Sequence, residues 1–588
     1  MIAQQNGACT GVVKDATGET IIGASVVVKG TTNGTITGLD GDFSLSNVKK
    51  GDVIQISFVG YITQEVVWDG QPINVTLKDD TQTLKEVVVV GFGTQKKVNL
   101  TGAVSTVDSK AISARPVNSV VDALQGNVAG MNFSTGSGGG ALNSEKSFNI
   151  RGTGTIGAGS SVTPLVLIDG MEGDLNALNP QDIDNISVLK DASASSIYGS
   201  RAAGGVILVT TKSGKEGKTT INYNNSFRFN SPLNMPEMMD SYTWANYMND
   251  ASINSGAGIW LSDSKLQQIK DAQSNPNAQL MFKNTNNTNN RWEVWDSTDI
   301  LPVANTDWLK EHFGNSFSQE HTLSVTGGSE KMKYYFSANY LGQDGIMRHA
   351  DGNKQRYAVT AKITADLAKW MTMTYNMRFT RTDYTQPSFT DDGGLFYHNV
   401  CRYWPILPTT DPNGHWLYES YIEELQNGGE YKNQTDIIAH QLSFRITPLE
   451  GWTINAELNY RIQNQNLHED WLTTYGYNCD NEPYVTSNSN SAVKEYNYKS
   501  NYFNPNIFTE CARSFGDHNA KVMVGFQSEW LRQREMSALQ YGILSGLPTL
   551  NTTCKDPAVS GAYNKWTTAG FFGRLNYDYK GRYLFEAG

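Results

Sequence analysis

The sequence predicts a mainly β protein in three parts: a small N-terminal β-sandwich, a compact α/β region, and an incomplete antiparallel transmembrane β-barrel. From Thr219 onward, apolar and polar residues alternate with a period of two through one segment after another. Tight turns and long loops join those segments in strict alternation, as in an outer-membrane barrel with short turns on one side and long loops on the other. No stretch approaches the ~18 apolar residues of a membrane helix, and barrel strands leave only a weak signal per segment.

Composition agrees. The 588 residues exceed one ordinary core, 55 are Gly, and 18% are charged, against roughly 25% in a typical soluble domain. A net charge of -11 and the lack of a basic stripe argue against a nucleic-acid partner. The five cysteines, Cys9, Cys401, Cys479, Cys511 and Cys554, are scattered. Their spacing fits no zinc knuckle and leaves local disulfides open. Met1-Ile2-Ala3-Gln4-Gln5 reads as the tail of a signal peptide, with Ala3 as the small residue before a cleavage point.

Residues 9–79 form the sandwich. Short alternating stretches are separated by turn signals such as Asp15-Ala16-Thr17-Gly18 and Asp40-Gly41, and Ile54, Ile56 and Phe58 share one face. Residues 80–97 form a connector. In it Glu86 precedes the apolar run Val87, Val88, Val89 and Val90, which ends at Gly91. On propensity the run is an ordinary buried strand. Its place in a polar connector suits it equally to adding a strand to another protein's sheet edge.

Residues 98–214 mix strands with short helices. Pro116 opens a helix around residues 118–124, and strands follow at 128–133 and 147–151. Gly152, Gly154 and Gly157 spell G-x-G-x-x-G, but the next element is a strand at 164–169 rather than a helix. The glycines therefore read as turn residues and not as a dinucleotide site. Asp169-Gly170 makes a tight turn. After a strand at 186–190, Asp191 caps a helix over 192–198. Gly199, Gly204 and Gly205 end that helix, and 206–212 is the last strand.

Residues 215–588 carry the barrel strands. Ile454, Ala456, Leu458, Tyr460 and Ile462 share one face, and Met373, Tyr375, Met377 and Phe379 oppose Thr372, Thr374, Asn376 and Arg378. Tight turns fall at 327–331, 367–370, 448–452, 515–519 and 580–582; long loops at 231–315, 341–355, 384–434, 466–496 and 533–565. The strands number about eleven, whereas large plugged barrels close at about 22. The sequence therefore reads as roughly the first half of a barrel. Trp260, Trp292, Trp295, Trp308, Trp404, Trp416 and Trp471 lie in the long loops, where they suit stacking on sugar rings or a protein interface.

The stretch LKEVVVVGFGTQKK resembles the TonB box of SusC/RagA-type TonB-linked outer-membrane transporters. GVVKDATGE, IIGASVVVKGTTNG and LDGDFSL resemble the carboxypeptidase regulatory-like domain, with Gly38 where that family usually carries an acid. NIRGTGT, PLVLIDG and ISVLKDASASSIYGSRAAGGVILVTTKSG are similar to the plug of TonB-dependent receptors. The resemblance implies active import of a nutrient across the bacterial outer membrane, a glycan first and a peptide second. TonB, with its ExbB/ExbD energy complex, would pair with Glu86 to Gly91 and pull the plug open. A SusD-like surface lipoprotein would cover the outer face, and the N-terminal domain would be periplasmic. The resemblance marks Arg151, Gly152, Asp169, Gly170, Asp191, Arg201, Gly204 and Gly205 as the residues of the plug motifs. Arg151 and Arg201 are expected to contact the barrel wall, the alternative being surface arginines, and Gly204-Gly205 to permit close packing.

No enzyme, metal or cofactor is expected. The eight His are scattered, and the H-x-x-E pair of a zinc carboxypeptidase is missing. A β-modular surface adhesin would explain the first domain and the strands, but neither the plug motifs nor the loop alternation.

Overall fold

The computed structural model describes residues 7–588 apart from 16–17, 32, 59–60, 62, 78–86, 90–93, 97–101, 116, 136–140, 153, 155–162, 192–195, 285–289, 293, 295–299, 351, 391–394 and 545. Contacts divide the chain into two compact units, Met1–Val88 with Thr94–Leu100, and Val89–Gly93 with Thr101–Gly588.

The first unit holds two small sheets. In one, β1 (Gly7–Lys14) runs antiparallel to β4 (Asp42–Val48) and parallel to β7 (Ile73–Thr76). The other has the order β3 (Gly34–Ile36), β2 (Ser25–Val28), β5 (Val53–Ser57) and β6 (Gln64–Val67). Alternate side chains turn inward, so Val13, Val26, Phe43, Leu45, Ile54 and Ile56 meet in one core. Gly11 is required where β1 meets β7, because a Cβ there would lie 1.9 Å from the Ile73 carbonyl oxygen. Cys9 is buried in this core, and all five cysteines are free thiols, so the disulfides left open by their spacing are not formed. The connector contains two short strands, β8 (Val87–Val89) and β9 (Thr94–Lys96), which pair with each other.

In the second unit, five strands form a mixed sheet in the order β10 (Val104–Asp108), β15 (Ile183–Leu189), β16 (Val206–Thr211), β13 (Leu165–Ile168) and β14 (Met171–Glu172). β13 and β16 are parallel and read as continuous apolar runs, as strands covered on both faces do. A hairpin of β11 (Met131–Thr135) and β12 (Lys146–Ile150) lies beside them. The helix Val120–Leu124 starts at Ser119, whose hydroxyl accepts the Asp122 N–H, and buries Val120, Val121, Ala123 and Leu124. Its apolar face joins Ile150, Ile168, Ile186 and Val209 in the core of this α/β region.

The rest of the unit is built on one antiparallel sheet of eleven strands in chain order. These are β17 (Gly217–Asn230), β18 (Ser316–Gly328), β19 (Met332–Asp344), β20 (Asn353–Ala368), β21 (Met371–Pro387) and β22 (Glu430–Leu449), followed by β23 (Trp452–Trp471), β26 (Ala492–Phe515), β27 (His518–Tyr541), β28 (Ala558–Tyr579) and β29 (Tyr583–Ala587). A side hairpin of β24 (Thr474–Tyr477) and β25 (Pro483–Ser487) lies between β23 and β26. β17 and β29 are the two edges and do not pair with each other. Several strands outrun the alternation that predicts them. β19 and β20 leave only residues 345–352 between them where a loop over 341–355 is expected, and β27 and β28 leave 542–557. Among the described residues, no helix is long and apolar enough to cross a membrane.

Candidate functional site: the α/β region against the sheet wall

Period two sorts each wall strand into two faces, and contacts identify which face meets the α/β region. In β21, Asn376, Arg378 and Thr380 face it and bond to it, while Met373, Tyr375, Met377 and Phe379 face away. The interface is therefore largely polar and gathered around three carboxylate clusters, with one apolar contact where Met171 packs against Ala439, Tyr502 and Leu531 of the wall.

Asp169 centres the first. The hairpin between β13 and β14 turns over Asp169 (φ 49) and Gly170 (φ 90), two successive positive φ values that suit a type I′ Asp-Gly turn. The turn aims the Asp169 carboxylate at the wall. It accepts from the Thr211 N–H at 3.0 Å, the Thr211 hydroxyl at 2.6 Å, Asn376 Nδ2 at 2.8 Å and Arg378 Nη1 at 3.0 Å, and Lys362 Nζ lies 3.4 Å away. Gln441 Nε2 donates to the Asp169 carbonyl oxygen at 2.9 Å. Burial alone would raise the Asp169 pKa. Lys362, Arg378 and the two bonds from Thr211 outweigh it and hold the carboxyl below the usual range.

Asp182 centres the second. It is buried and accepts hydroxyl protons from Tyr335 at 2.9 Å, Ser337 at 2.7 Å and Thr360 at 2.9 Å, all from the wall. Arg201 and Glu529 form the third. Arg201 Nη1 reaches both Glu529 oxygens at 2.7 and 2.6 Å, its Nη2 pairs with Glu172, and its guanidinium lies over the Trp566 ring. Tyr502 donates to Glu529 at 2.6 Å. On the first wall strands, Arg228 bonds Asn118 and pairs with Glu320 at 2.5 Å. A cavity of about 100 Å³ lies between the two surfaces, with Asp174, Asp182, Arg378 and Arg461 among its lining residues. Its size admits several waters, and apolar residues such as Ile168, Met171 and Ala439 line it beside the charged groups.

Chemically this is a surface that can part. Each net hydrogen bond is worth about 0.5–1.5 kcal/mol because water replaces the lost partner, whereas separating an apolar interface costs about 25 cal/mol per Å² exposed. The α/β region keeps its own apolar core, so it can leave the wall without exposing that core.

The expected site residues are not all gathered here. Arg201 and Asp169-Gly170 are at the wall. Arg151 (φ 60) is not: it pairs with Asp191 at 2.5 Å, inside the α/β region. Asp191 also accepts the Ala103 N–H at 2.7 Å, and the start of the helix it was expected to cap lies outside the described residues, which resume with a 3₁₀ segment at Ser196–Ala202. Gly152 (φ 94) follows Arg151 in the turn after β12. Gly205 (φ 88), after Gly204, permits a close approach: a Cβ there would lie 2.7 Å from Ile150 Cδ1. Val87 to Val89 are strand β8, whereas Glu86, Val90 and Gly91, like Gly157 and Trp295, lie outside the described residues.

Three loop tryptophans expected at a contact surface instead form cores. Trp260 and Trp404 pack with Trp244 at ring separations of 5.2–5.9 Å, and Trp308 is fully buried with its Nε1 donating to the Trp404 carbonyl at 3.0 Å. Trp292, Trp416 and Trp471 are half-buried. Sequence reasoning did not single out Asp182, Lys362, Gln441 or Glu529. The only signal for them was a position on the polar face of an alternating strand or, for Asp182, in the turn before one.

Residues 96–206 match the TonB-dependent Receptor Plug Domain family, and residues 9–89 the CarboxypepD_reg-like domain. The chain is 29% identical to TonB-dependent receptor SusC of Bacteroides thetaiotaomicron over 98% of its own length and 55% of the relative's. It is 30% identical to TonB-dependent receptor P39 of Formosa agariphila, over 98% and 52%. Its fold resembles a solved structure of the RagAB peptide importer in the open-open state, with a TM-score of 0.66 at 24% identity, covering 84% of this chain and 55% of that one. The chain thus spans about half the length of the curated relatives it matches.

Proposed function

We propose that the chain is part of a SusC/RagA-type TonB-dependent transporter and that the whole protein imports a nutrient across the bacterial outer membrane, a reading supported by the matched plug domain and the similar receptors. Residues 98–214 are the plug and 215–588 the first part of the wall around it, preceded by the regulatory-like sandwich at 9–79 and a TonB-binding linker at 80–97. The observation that carries the reading is the largely polar seam between plug and wall, centred on Asp169, Asp182 and Arg201 and enclosing a small cavity.

TonB pairs with Glu86, Val87, Val88, Val89, Val90 and Gly91 by strand addition, in which backbone hydrogen bonds transmit load without a large interface. The extended backbone of Val87–Val89 supports that assignment. Pulling then detaches the plug at the seam, drawing on the energy complex of the inner membrane. Arg201 and Asp169 hold the plug to the wall at rest. Arg151, Gly152 and Asp191 shape its turns, as do Gly170, Gly204 and Gly205. A SusD-like surface lipoprotein covers the long-loop side. The substrate is a glycan; a peptide is the second candidate, supported by the likeness to a peptide importer.

Deletion of residues 87–91 in the full-length protein tests the reading. Uptake of a labelled substrate is expected to vanish while membrane insertion and substrate binding persist. Uptake that survives the deletion sinks the assignment of the box.

A further inference from the structure

On the face of the wall turned away from the plug, four cations stand together without an ion-pair partner among the described residues. Glu529 and Trp566 face the plug, where Arg201 contacts both. By strand parity, Trp530, Arg532 and Arg534 of β27 face the other way, as do Lys499 of β26 and Tyr563 and Lys565 of β28. Lys499, Arg532, Arg534 and Lys565 are all exposed. In the ladder Lys499 lies directly opposite Arg534, and Arg532 directly opposite Lys565. Directly opposed side chains in a sheet have Cβ atoms about 4.5–5.5 Å apart, and like charges so placed repel. Among the described residues none of the four has an ion-pair partner. The acid that shares their face on β26, Glu495, lies further along the strand and is bonded to His468 at 2.7 Å. In a chain of net charge -11, an acid-free block of four cations needs an anion from outside.

Its position says which anion. Below the block, toward the short turns, the same face is mostly apolar: Val522, Val524, Phe526 and Trp530 along β27, interrupted by Ser528, with Ile507, Phe571 and Leu575 beside them. His518, Tyr577 and Tyr579 close that belt at its other end. From Val522 to Arg532 the strand rises roughly 34 Å at ~3.4 Å per residue, which a tilt of ~40° reduces to about the ~25 Å height of a lipid-facing band. The cations thus begin where the apolar belt stops, on the long-loop side. Trp530 lies under the Arg532 guanidinium at 4.3 Å, as an amphipathic ring does at a membrane boundary.

We propose that Lys499, Arg532, Arg534 and Lys565 bind the phosphate groups of a lipid headgroup in the leaflet on the long-loop side. The site rests on the outer-membrane reading above, and it lies on the outside of the wall, apart from the import path. Two arginines offer flat forks for phosphate oxygens, and two lysines add point charge.

The test uses the full-length protein in detergent and native mass spectrometry, with diphosphorylated lipid A and the same lipid A stripped of phosphate as probes. The wild type is expected to hold the phosphorylated lipid at least about tenfold more tightly than the stripped one. The double variant R532Q/R534Q should lose at least about tenfold, and R532K/R534K should keep most of the binding, which separates lost charge from lost fold. Equal binding of the two lipids overturns the proposal. So does unchanged binding in the glutamine variant, or inorganic phosphate alone bound as tightly as the lipid. Recovery of the protein outside the outer membrane, by cell fractionation, would instead overturn the transporter reading on which the site rests.

Discussion

Asp169 shows what a single residue contributes to the seam. Its carboxylate stands between Lys362 and Arg378, both nearly buried, so Asp169→Asn leaves two cations without their counter-charge. Removing one partner of such a buried set costs about 3–5 kcal/mol. Hydrogen exchange of plug amides in the full-length protein should rise accordingly, and unchanged protection would show that Asp169 does not hold the plug. The pH dependence has a definite sign. The folded carboxyl sits below its unfolded value of ~3.9, so its contribution is complete above that value and is lost as pH falls through the folded one. The difference between wild type and the variant should be constant from about pH 8 to 5 and close below about pH 4. Arg201→Lys keeps the charge but gives up the fork that joins Glu529 through Nη1 and Glu172 through Nη2, at about 1.5–3 kcal/mol. Asp169 and Arg201 were legible because they sit in recognisable motifs. Glu529 was not, because it lies hundreds of residues from Arg201 and only the closed fold brings the two together. Arg151 was misread for a related reason: the motif marks the residue but not its partner, which is Asp191 of the same region.

At the scale of elements, alternation revealed the wall and its eleven strands, and it failed where its physical cause ends. Within a lipid-facing belt one face must be apolar and the other may be polar, so period two is strong. Beyond the belt both faces meet water. Gln343 and Asp344, or Asn464 to Asn466, therefore continue their strands with no alternation to mark them. Expected loops thus became strand extensions. The loop tryptophans failed differently, because aromatic residues read alike whether they face a ligand or a core. In the plug, Gly205 links sequence to packing. A Gly205→Ala change meets a φ of +88 as well as Ile150 Cδ1 at 2.7 Å and the Leu189 carbonyl at 3.0 Å. The left-handed backbone alone costs about 1–2 kcal/mol, and the contacts add to it. Protease resistance of the plug in the full-length protein should fall, whereas Gly154→Ala, where a Cβ meets nothing within 4 Å, should leave it unchanged.

For the whole molecule, the proposed import turns on whether the seam opens. A plug with its own apolar core, held to the wall mainly by polar side chains around a small cavity and by one small apolar contact at Met171, can separate in one piece. Covalent closure should then stop transport without touching the substrate site. Thr380 of the wall donates to the Ala177 carbonyl of the plug at 2.9 Å, which brings the two segments close enough for the pair Ala177→Cys and Thr380→Cys to be tried as a tether. Oxidised, the full-length double variant should bind substrate as the wild type does and import none. After reduction, uptake should return. Normal uptake through an oxidised, mass-verified tether would mean that the plug stays against this part of the wall throughout. The path would then lie through a local rearrangement of the plug at a distance from β21, and the Asp169 cluster would be a fixed anchor about which the rest of the plug moves.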